Sequence, residues 1–314
     1  MSVESCAAFL RAALQDAQVR QQMKAMTAVG ELVRLGREHG YLFDGRDVAV
    51  ASSASEFATY TKPSAPGPSA AKVPAPRPAP SATEPSATEP TAFYHHEYDM
   101  DQIPGFAAVI DELPALKIKP STVDLARFDE GFRADDLRST SLAPGSAEYE
   151  RWRAEPPDPP PAPGSRRDFH LVNLDEHVEH EGYAAYFAAK VRLVDALEKV
   201  FGGDVRLSGG MWYPPSAYRL WHTNEDQPGW RMYLIDFDGE FADPEHTSFF
   251  RYQHPETREL VTLPERPRLV RFFKIEQDPE RLFWHCIVNP TRRHRWSFGC
   301  TVPDTWLDDI AGRS

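Results

Sequence analysis

Cysteines and long apolar runs are both scarce in this chain of 314 residues. Only Cys6, Cys286 and Cys300 are present, and their odd number and wide spacing argue against a disulfide framework or a cysteine zinc site. Glu4 and Arg11 interrupt the first turns, so the sequence predicts neither a secretory signal nor a membrane-spanning helix. We therefore expect a cytoplasmic protein with no membrane partner.

Basic residues are also few. The chain has 35 Lys and Arg against 47 Asp and Glu, and its net charge of −12 disfavours a nucleic-acid partner, because neutralising phosphates requires dense basic side chains. Proline is in excess instead. The 29 prolines occur in clusters, which indicates linkers between folded units. A hydrophobic share of 41% is enough to build at least one core.

The first fifty residues predict a small helical domain. An N-cap at Ser2, apolar residues at helical spacing and a stop at Gly40 indicate three helices, with Tyr41 and Phe43 folding back. This arrangement resembles the Nif-eleven-like leader family, helical segments that precede core peptides in ribosomally made natural products. The resemblance implies a docking domain over residues 1–52. The alternatives are a generic bundle that stabilises the protein or makes a dimer, and a precursor fused to its own enzyme.

A Pro/Ala/Ser-rich linker is predicted over residues 53–91, because it contains the tandem repeat SATEP and too few apolar residues for a core. Such a tether would hold the helical domain away from the rest of the chain. The acidic and histidine residues that follow are interpreted as structural and not as metal ligands, since neighbours on an entry segment rarely converge. They are His95, His96, Glu97, Asp99 and Asp101.

The remaining chain, residues 92–314, is predicted to be an α+β domain. Pro156 to Pro163 indicate a surface loop, Phe169 to Leu174 a strand, and Tyr183 to Phe201 one long core helix. From Val205 onward, short aromatic and β-branched strands alternate with turn signals, which is typical of a barrel or jelly roll at about 205–302. The whole chain is thus expected to be multi-domain.

One group of residues within this β region predicts a metal-binding site. His222 and Asn224 are two positions apart, so on one strand they face the same side and can share a metal with a distant His285. Arg295 and Ser297 follow ten and twelve positions after His285. A guanidinium and a hydroxyl suit a carboxylate ligand.

This pattern resembles the double-stranded β-helix family of iron(II) and 2-oxoglutarate dioxygenases, in its prolyl-hydroxylase-like branch. The family pattern is His-x-Asp, a distant His and Arg-x-Ser, and His222, His285, Arg295 and Ser297 match it. The resemblance implies that iron(II), 2-oxoglutarate and dioxygen are used, with iron on the two histidines and Arg295 on the co-substrate. Asn224 departs from the family's Asp, and an amide oxygen binds iron more weakly than a carboxylate.

Three ways of completing the iron site stay open. Asn224 coordinates through its oxygen, Asp226 reaches the metal, or the vacant position takes water or chloride, which would permit halogenation. Supporting roles near the approach and the co-substrate are predicted for Tyr213, Tyr218, Arg231 and Tyr233.

The predicted function is hydroxylation of a peptide or protein in natural-product biosynthesis, with the substrate docked by the helical domain. The alternatives are a halogenase and an inactive pseudo-oxygenase that binds peptide.

Overall fold

The computed structural model describes residues 5–6, 8–9, 12–13, 16–24, 29–45, 47–48, 95–155, 168–203, 205–225 and 227–311. Eight α-helices have defined bounds within them: α1 Ala17–Lys24, α2 Val29–Glu38, α3 Ala107–Leu116, α4 Leu125–Glu130, α5 Ala134–Arg138, α6 Ala147–Ala154, α7 Tyr183–Phe201 and α8 Trp306–Ile310. The described residues at 5–6, 8–9, 12–13, 45 and 47–48 are also helical. Short 3-10 turns lie at Met100–Gln102, Ser139–Ser141, Leu174–Glu176 and Pro279–Arg281.

Two antiparallel sheets form the main domain. Their strands are β1 His95–Asp99, β2 Phe169–His170, β3 Val172–Asn173, β4 Arg206–Tyr213, β5 Tyr218–His222, β6 Gly229–Phe237, β7 Phe249–Gln253, β8 Leu260–Pro264, β9 Leu269–Ile275, β10 His285–Val288 and β11 Arg295–Thr301. The six-stranded sheet has the order β1-β9-β6-β11-β4-β3, and the five-stranded sheet has the order β2-β5-β10-β7-β8. This crossing of strands between two sheets is compatible with the predicted jelly roll.

The six-stranded sheet separates two environments. Its outer face carries apolar side chains, such as Leu234 and Phe298, that pack with α3 and α7 in the largest core. Side chains that alternate with these, such as Tyr233 and Ser297, point to the inner face toward the five-stranded sheet. The helices therefore support the sheet from behind, and its front face is left for a site.

Helix α7 is the main support of this sheet. Its bounds agree with the predicted Tyr183 to Phe201, and it ends at Gly202, which adopts the left-handed conformation with φ 62°. The buried carboxylate of Asp175 accepts hydrogen bonds from Lys190 at 2.5 Å and from the Tyr186 hydroxyl at 2.9 Å. These bonds fix α7 against the turn that follows β3.

Other predictions have mixed outcomes. The strand expected over Phe169 to Leu174 is two short strands, which belong to different sheets. The loop at Pro156 to Pro163 and the linker at 53–91 lie outside the described residues, and the domain boundaries stay predictions. No helix in the described ranges is long and apolar enough to cross a membrane.

The amino-terminal helical segment lies against the main domain. Its core contains Phe9, Val19 and Met23 together with Val191 of α7, and Phe187 of α7 packs on the same core. The expectation that the linker holds this segment away from the domain was therefore wrong. Apolar burial against α7 accounts for the contact.

Candidate active site

A narrow cavity of about 20 Å³ lies between the two sheets. Its wall contains Arg271 and Arg295, each only 1% exposed. His222 and His285 also line it, and the partly exposed Asn224 lies beside His285.

The two histidines lie directly opposite each other in neighbouring strands. His222 ends β5 and pairs in register with His285, which begins β10, and their ring centroids are 3.9 Å apart. The ring Nδ1 of His222 lies 2.8 Å from the Leu220 carbonyl oxygen, and that of His285 lies 2.9 Å from the Phe283 carbonyl oxygen. A carbonyl accepts only, so each Nδ1 carries the proton and each Nε2 keeps its lone pair. This is the tautomer of a metal ligand.

His285 is also held in the neutral form that a metal requires. Burial lowers the pKa of its imidazole to about 3, and the positive charges of Arg219 and Arg271 act in the same direction. Protonation therefore does not compete with metal binding at this nitrogen near neutral pH.

Asn224 reaches the histidines by a route that differs from the predicted one. Strand β5 ends at His222, and Asn224 lies beyond it with φ 60°, a left-handed conformation that Asn adopts more readily than most residues. The expectation of a shared strand face was therefore wrong. Its amide Nδ2 nevertheless lies 3.5 Å from Nε2 of His285. Its oxygen accepts from Nη2 of Arg219 at 3.2 Å, so bringing that oxygen toward the histidines would break this bond.

The donor set fits iron(II) in part. Two imidazoles with fixed tautomers and one carboxamide converge, but in the part of the chain that the structure describes no three His, Cys, Asp or Glu side chains converge as a metal site. Asp226, the alternative third ligand, falls outside the described residues. The two histidines therefore suit a metal, whereas the missing carboxylate weakens the site.

Arg219 is a cavity residue that sequence reasoning missed. It lies three positions before His222, which on a regular strand would place it on the opposite face. Strand β5 contains a bulge here, because Arg219 pairs with Ile287 while His222 pairs with His285. Both side chains consequently line the cavity. Only the pairing register contains this information.

Arg295 is bound by an internal carboxylate. Its Nε donates to Oε2 of Glu265 at 2.7 Å and its Nη2 donates to Oε1 at 2.8 Å. Glu265 also accepts from Nη1 of Arg271 at 2.8 Å and from the Ser248 hydroxyl at 2.7 Å. Although burial raises the pKa of Glu265, the charges of Arg295 and Arg271 outweigh it and lower the pKa to about 2. The carboxyl is therefore ionised.

Glu265 contacts only two of the three guanidinium nitrogens of Arg295. The third, Nη1, is buried, and the Tyr213 ring packs against the guanidinium with its centroid 4.5 Å from Cζ. Arg271 also pairs with Glu97, through Nε at 2.8 Å. The cavity wall thus carries the guanidinium groups of Arg219, Arg271 and Arg295, and Glu97 and Glu265 pair with the last two.

The other predicted residues divide into two groups. Tyr213, Tyr233 and Ser297 line the cavity as expected. Arg231 is buried but does not line it, and its guanidinium donates to the Gln227 side chain. Tyr218 faces away, with its hydroxyl 3.0 Å from Oδ2 of Asp136. The structure therefore does not bring Arg231 and Tyr218 to the site.

Three solved structures have folds that overlap partly with this chain. A Pseudomonas putida prolyl-4-hydroxylase has a TM-score of 0.30 and 12% identity, over 67% of this chain and 91% of the other. A 2OG-Fe(II) oxygenase family oxidoreductase from Burkholderia pseudomallei has a TM-score of 0.26 and 12% identity, over 40% of this chain and 57% of the other. A Trichoplax adhaerens prolyl hydroxylase in complex with a hypoxia inducible factor peptide fragment has a TM-score of 0.33 and 13% identity, over 70% of this chain and 87% of the other. At TM-scores this low, these likenesses carry no weight below.

The amino-terminal segment has a match of its own. No curated protein matches the sequence. Residues 1–48 match the family model described as the Nif11 domain. The leader-type resemblance predicted from these residues is therefore confirmed, and the chain begins with a Nif11 domain.

Proposed function

We propose that residues 92–314 form an iron(II)- and 2-oxoglutarate-dependent oxygenase that hydroxylates a peptide or protein in the biosynthesis of a ribosomally made natural product. The observation that carries this proposal is the shared orientation of His222 and His285. Both Nδ1 atoms are held by carbonyls two residues earlier, which leaves both Nε2 lone pairs for one metal. The Nif11 domain favours a peptide substrate.

The residues of the site would have two functions, binding of the metal and binding of the co-substrate. His222, His285 and the Asn224 oxygen would hold iron(II), which with 2-oxoglutarate supplies the oxidation of an unactivated C–H bond by dioxygen. Arg295, through its Nη1 edge, and the Ser297 hydroxyl would hold a carboxylate of the co-substrate.

The cavity walls would add positioning. Glu265 fixes the planes of the Arg271 and Arg295 guanidinium groups, so neither needs to reorganise when a carboxylate enters. Phe250 and Phe273 pack around His285, with ring centroids at 5.5 Å and 4.9 Å. These rings exclude water from the face of the histidine.

A binding module without turnover is the second candidate. Two observations favour it: a neutral Asn224 stands at the third ligand position, and the Glu265 carboxylate already occupies two nitrogens of Arg295. In this case the β domain binds a peptide and neither iron nor 2-oxoglutarate is consumed.

The two candidates differ in a product assay. The full chain is incubated with iron(II), 2-oxoglutarate, dioxygen and chloride, and succinate and product masses are measured. An oxygenase releases succinate and adds the mass of an oxygen atom to its product, whereas a halogenase adds chlorine in place of hydrogen. Absence of succinate, with the fold intact by circular dichroism, would favour the binding module.

A further inference from the structure

Glu265 gives Arg295 a carboxylate partner from within the chain. It lies in the connection between β8 and β9, and its side chain is fully buried. Nε and Nη2 of Arg295 donate to its two oxygens at 2.7 Å and 2.8 Å. Two parallel bonds of this kind are also how a guanidinium binds the carboxylate of a ligand. The predicted anchor of the co-substrate is therefore already occupied by a carboxylate.

The space beside this pair is too small for a dicarboxylate. Arg295 and Ser297 line the cavity, whose volume of about 20 Å³ is room for about one water molecule. A molecule of 2-oxoglutarate is several times larger than water. It can therefore reach Arg295 only if a side chain that now fills the site moves.

The charges around Arg295 are already balanced. Arg271 donates to Glu265 through Nη1 at 2.8 Å and to Glu97 through Nε at 2.8 Å. These two arginines and two glutamates together carry no net charge. A ligand carboxylate added beside Glu265 would bring like charges together at a buried guanidinium, which is unfavourable. A ligand that replaces Glu265 on Arg295 keeps the balance.

Glu265 can leave Arg295 and still be paired. Its Oε1 also accepts from Nη1 of Arg271, and its Oε2 also accepts from the Ser248 hydroxyl at 2.7 Å. A buried carboxylate that keeps a cation and a hydroxyl as partners is not left as an isolated charge, which is the state that burial penalises most. Movement of Glu265 is therefore a route by which the site can admit a ligand.

We propose that Glu265 is a resident competitor of the co-substrate: a carboxylate of 2-oxoglutarate replaces Glu265 as the acidic partner of Arg295, and Glu265 remains on Arg271 and Ser248. The inference rests on the proposed function for the identity of the ligand. The exchange sets the affinity, because the apparent Kd rises as the fraction of molecules with an open anchor falls. An open state populated at about 10% raises the apparent Kd roughly tenfold.

Calorimetric titration of the full chain with 2-oxoglutarate, in the presence of iron(II) and without oxygen, tests this exchange. Glu265→Gln removes the charge that holds Arg295 and nearly keeps the side-chain volume, so it should bind 2-oxoglutarate about tenfold more tightly than the unsubstituted chain. Glu97→Gln is the matched control, because it removes a neighbouring charge and leaves Glu265 on Arg295, so its affinity should not rise. Should Glu265→Gln not fold, Glu265→Asp keeps the charge, shortens its reach to the two arginines and should also bind more tightly.

A folded Glu265→Gln chain that binds 2-oxoglutarate no more tightly than the original would overturn the exchange and leave Glu265 as a brace of the fold. An equal gain in Glu97→Gln would also overturn it, because loss of either charge would then be enough. Succinate release under dioxygen separates this inference from the proposed function. Succinate without tighter binding in the variant would overturn the inference alone, whereas tighter binding without succinate from any chain would support the exchange and overturn the oxygenase.

Discussion

The guanidinium of Arg219 donates a hydrogen bond from Nη2 to Oδ1 of Asn224 across 3.2 Å. The side chain at the third ligand position is therefore already paired with a cation. An aspartate at position 224 would form an ion pair with the Arg219 guanidinium, which would partly neutralise the charge of its carboxylate. Arg219 thus tolerates either residue at position 224, but only a carboxylate would compensate the charge of a bound metal.

Asn224→Asp is accordingly expected to strengthen iron(II) binding by about tenfold, the lower end of the effect of changes around a metal. Iron affinity is measured by titration without oxygen, using the unsubstituted chain for comparison. Asn224→Ala is the matched control and should bind iron no better than the original. Unchanged affinity in the aspartate variant would contradict a ligand role for position 224.

Arg271 is expected to act on the co-substrate and not on the metal. Arg271→Lys keeps the charge but loses the planar fork that contacts Glu97 and Glu265, so we expect the KM for 2-oxoglutarate to rise roughly tenfold. Iron affinity should stay the same. Arg268→Lys is the control, because the Arg268 side chain is 53% exposed and pairs with Asp101. A fall in iron affinity together with kcat would indicate a purely structural role for Arg271.

Glu265 is expected to stabilise the fold in a pH-dependent way. Its pKa is about 2 in the folded chain against an ordinary 4.5, so its contribution is complete above pH 4.5 and is lost as the pH falls toward 2. Glu265→Gln leaves two buried guanidinium groups without their carboxylate and should lower the free energy of unfolding by about 3–5 kcal/mol at neutral pH. Urea unfolding at several pH values measures both effects. A variant with the original acid sensitivity would refute this assignment.

Val191 is expected to hold the Nif11 domain on α7. Val191→Asp places an unpaired charge in an apolar contact, so the domain should detach and residues 1–48 should be cleaved faster by a protease. Lys199→Asp is the control, since Lys199 is exposed on the same helix. Equal cleavage of both variants would contradict the docking contact.

Local pattern in the sequence predicted much of this molecule. Helical spacing and the glycine stop placed α7 correctly, and turn signals bounded a β region at 205–302 whose strands span Arg206 to Thr301. The helix and strand predictions depend on residues close together in the chain. His222 and His285 were predicted as a pair because they match the His-x-Asp, distant His and Arg-x-Ser pattern.

The missed features depend on register and on long-range pairing. The bulge in β5 turns Arg219 into the cavity, and no local pattern marks it. Glu265 contacts Arg295 from 30 positions away and Glu97 contacts Arg271 from 174 positions away. Arg231 was predicted together with Tyr233 because both lie on the strand that follows His222, but only Tyr233 lines the cavity. Partners of this kind are defined only by the folded sheet.

Iron(II) binding measured together with 2-oxoglutarate-dependent succinate release tests the central claim most directly. The unsubstituted chain is compared with His285→Ala and with His246→Ala, a control at an exposed histidine whose side chain is 84% accessible. The account predicts that the unsubstituted chain and the His246 variant bind iron and release succinate, and that the His285 variant does neither. A chain that binds no iron and releases no succinate, or a His285 variant as active as the original, would contradict it.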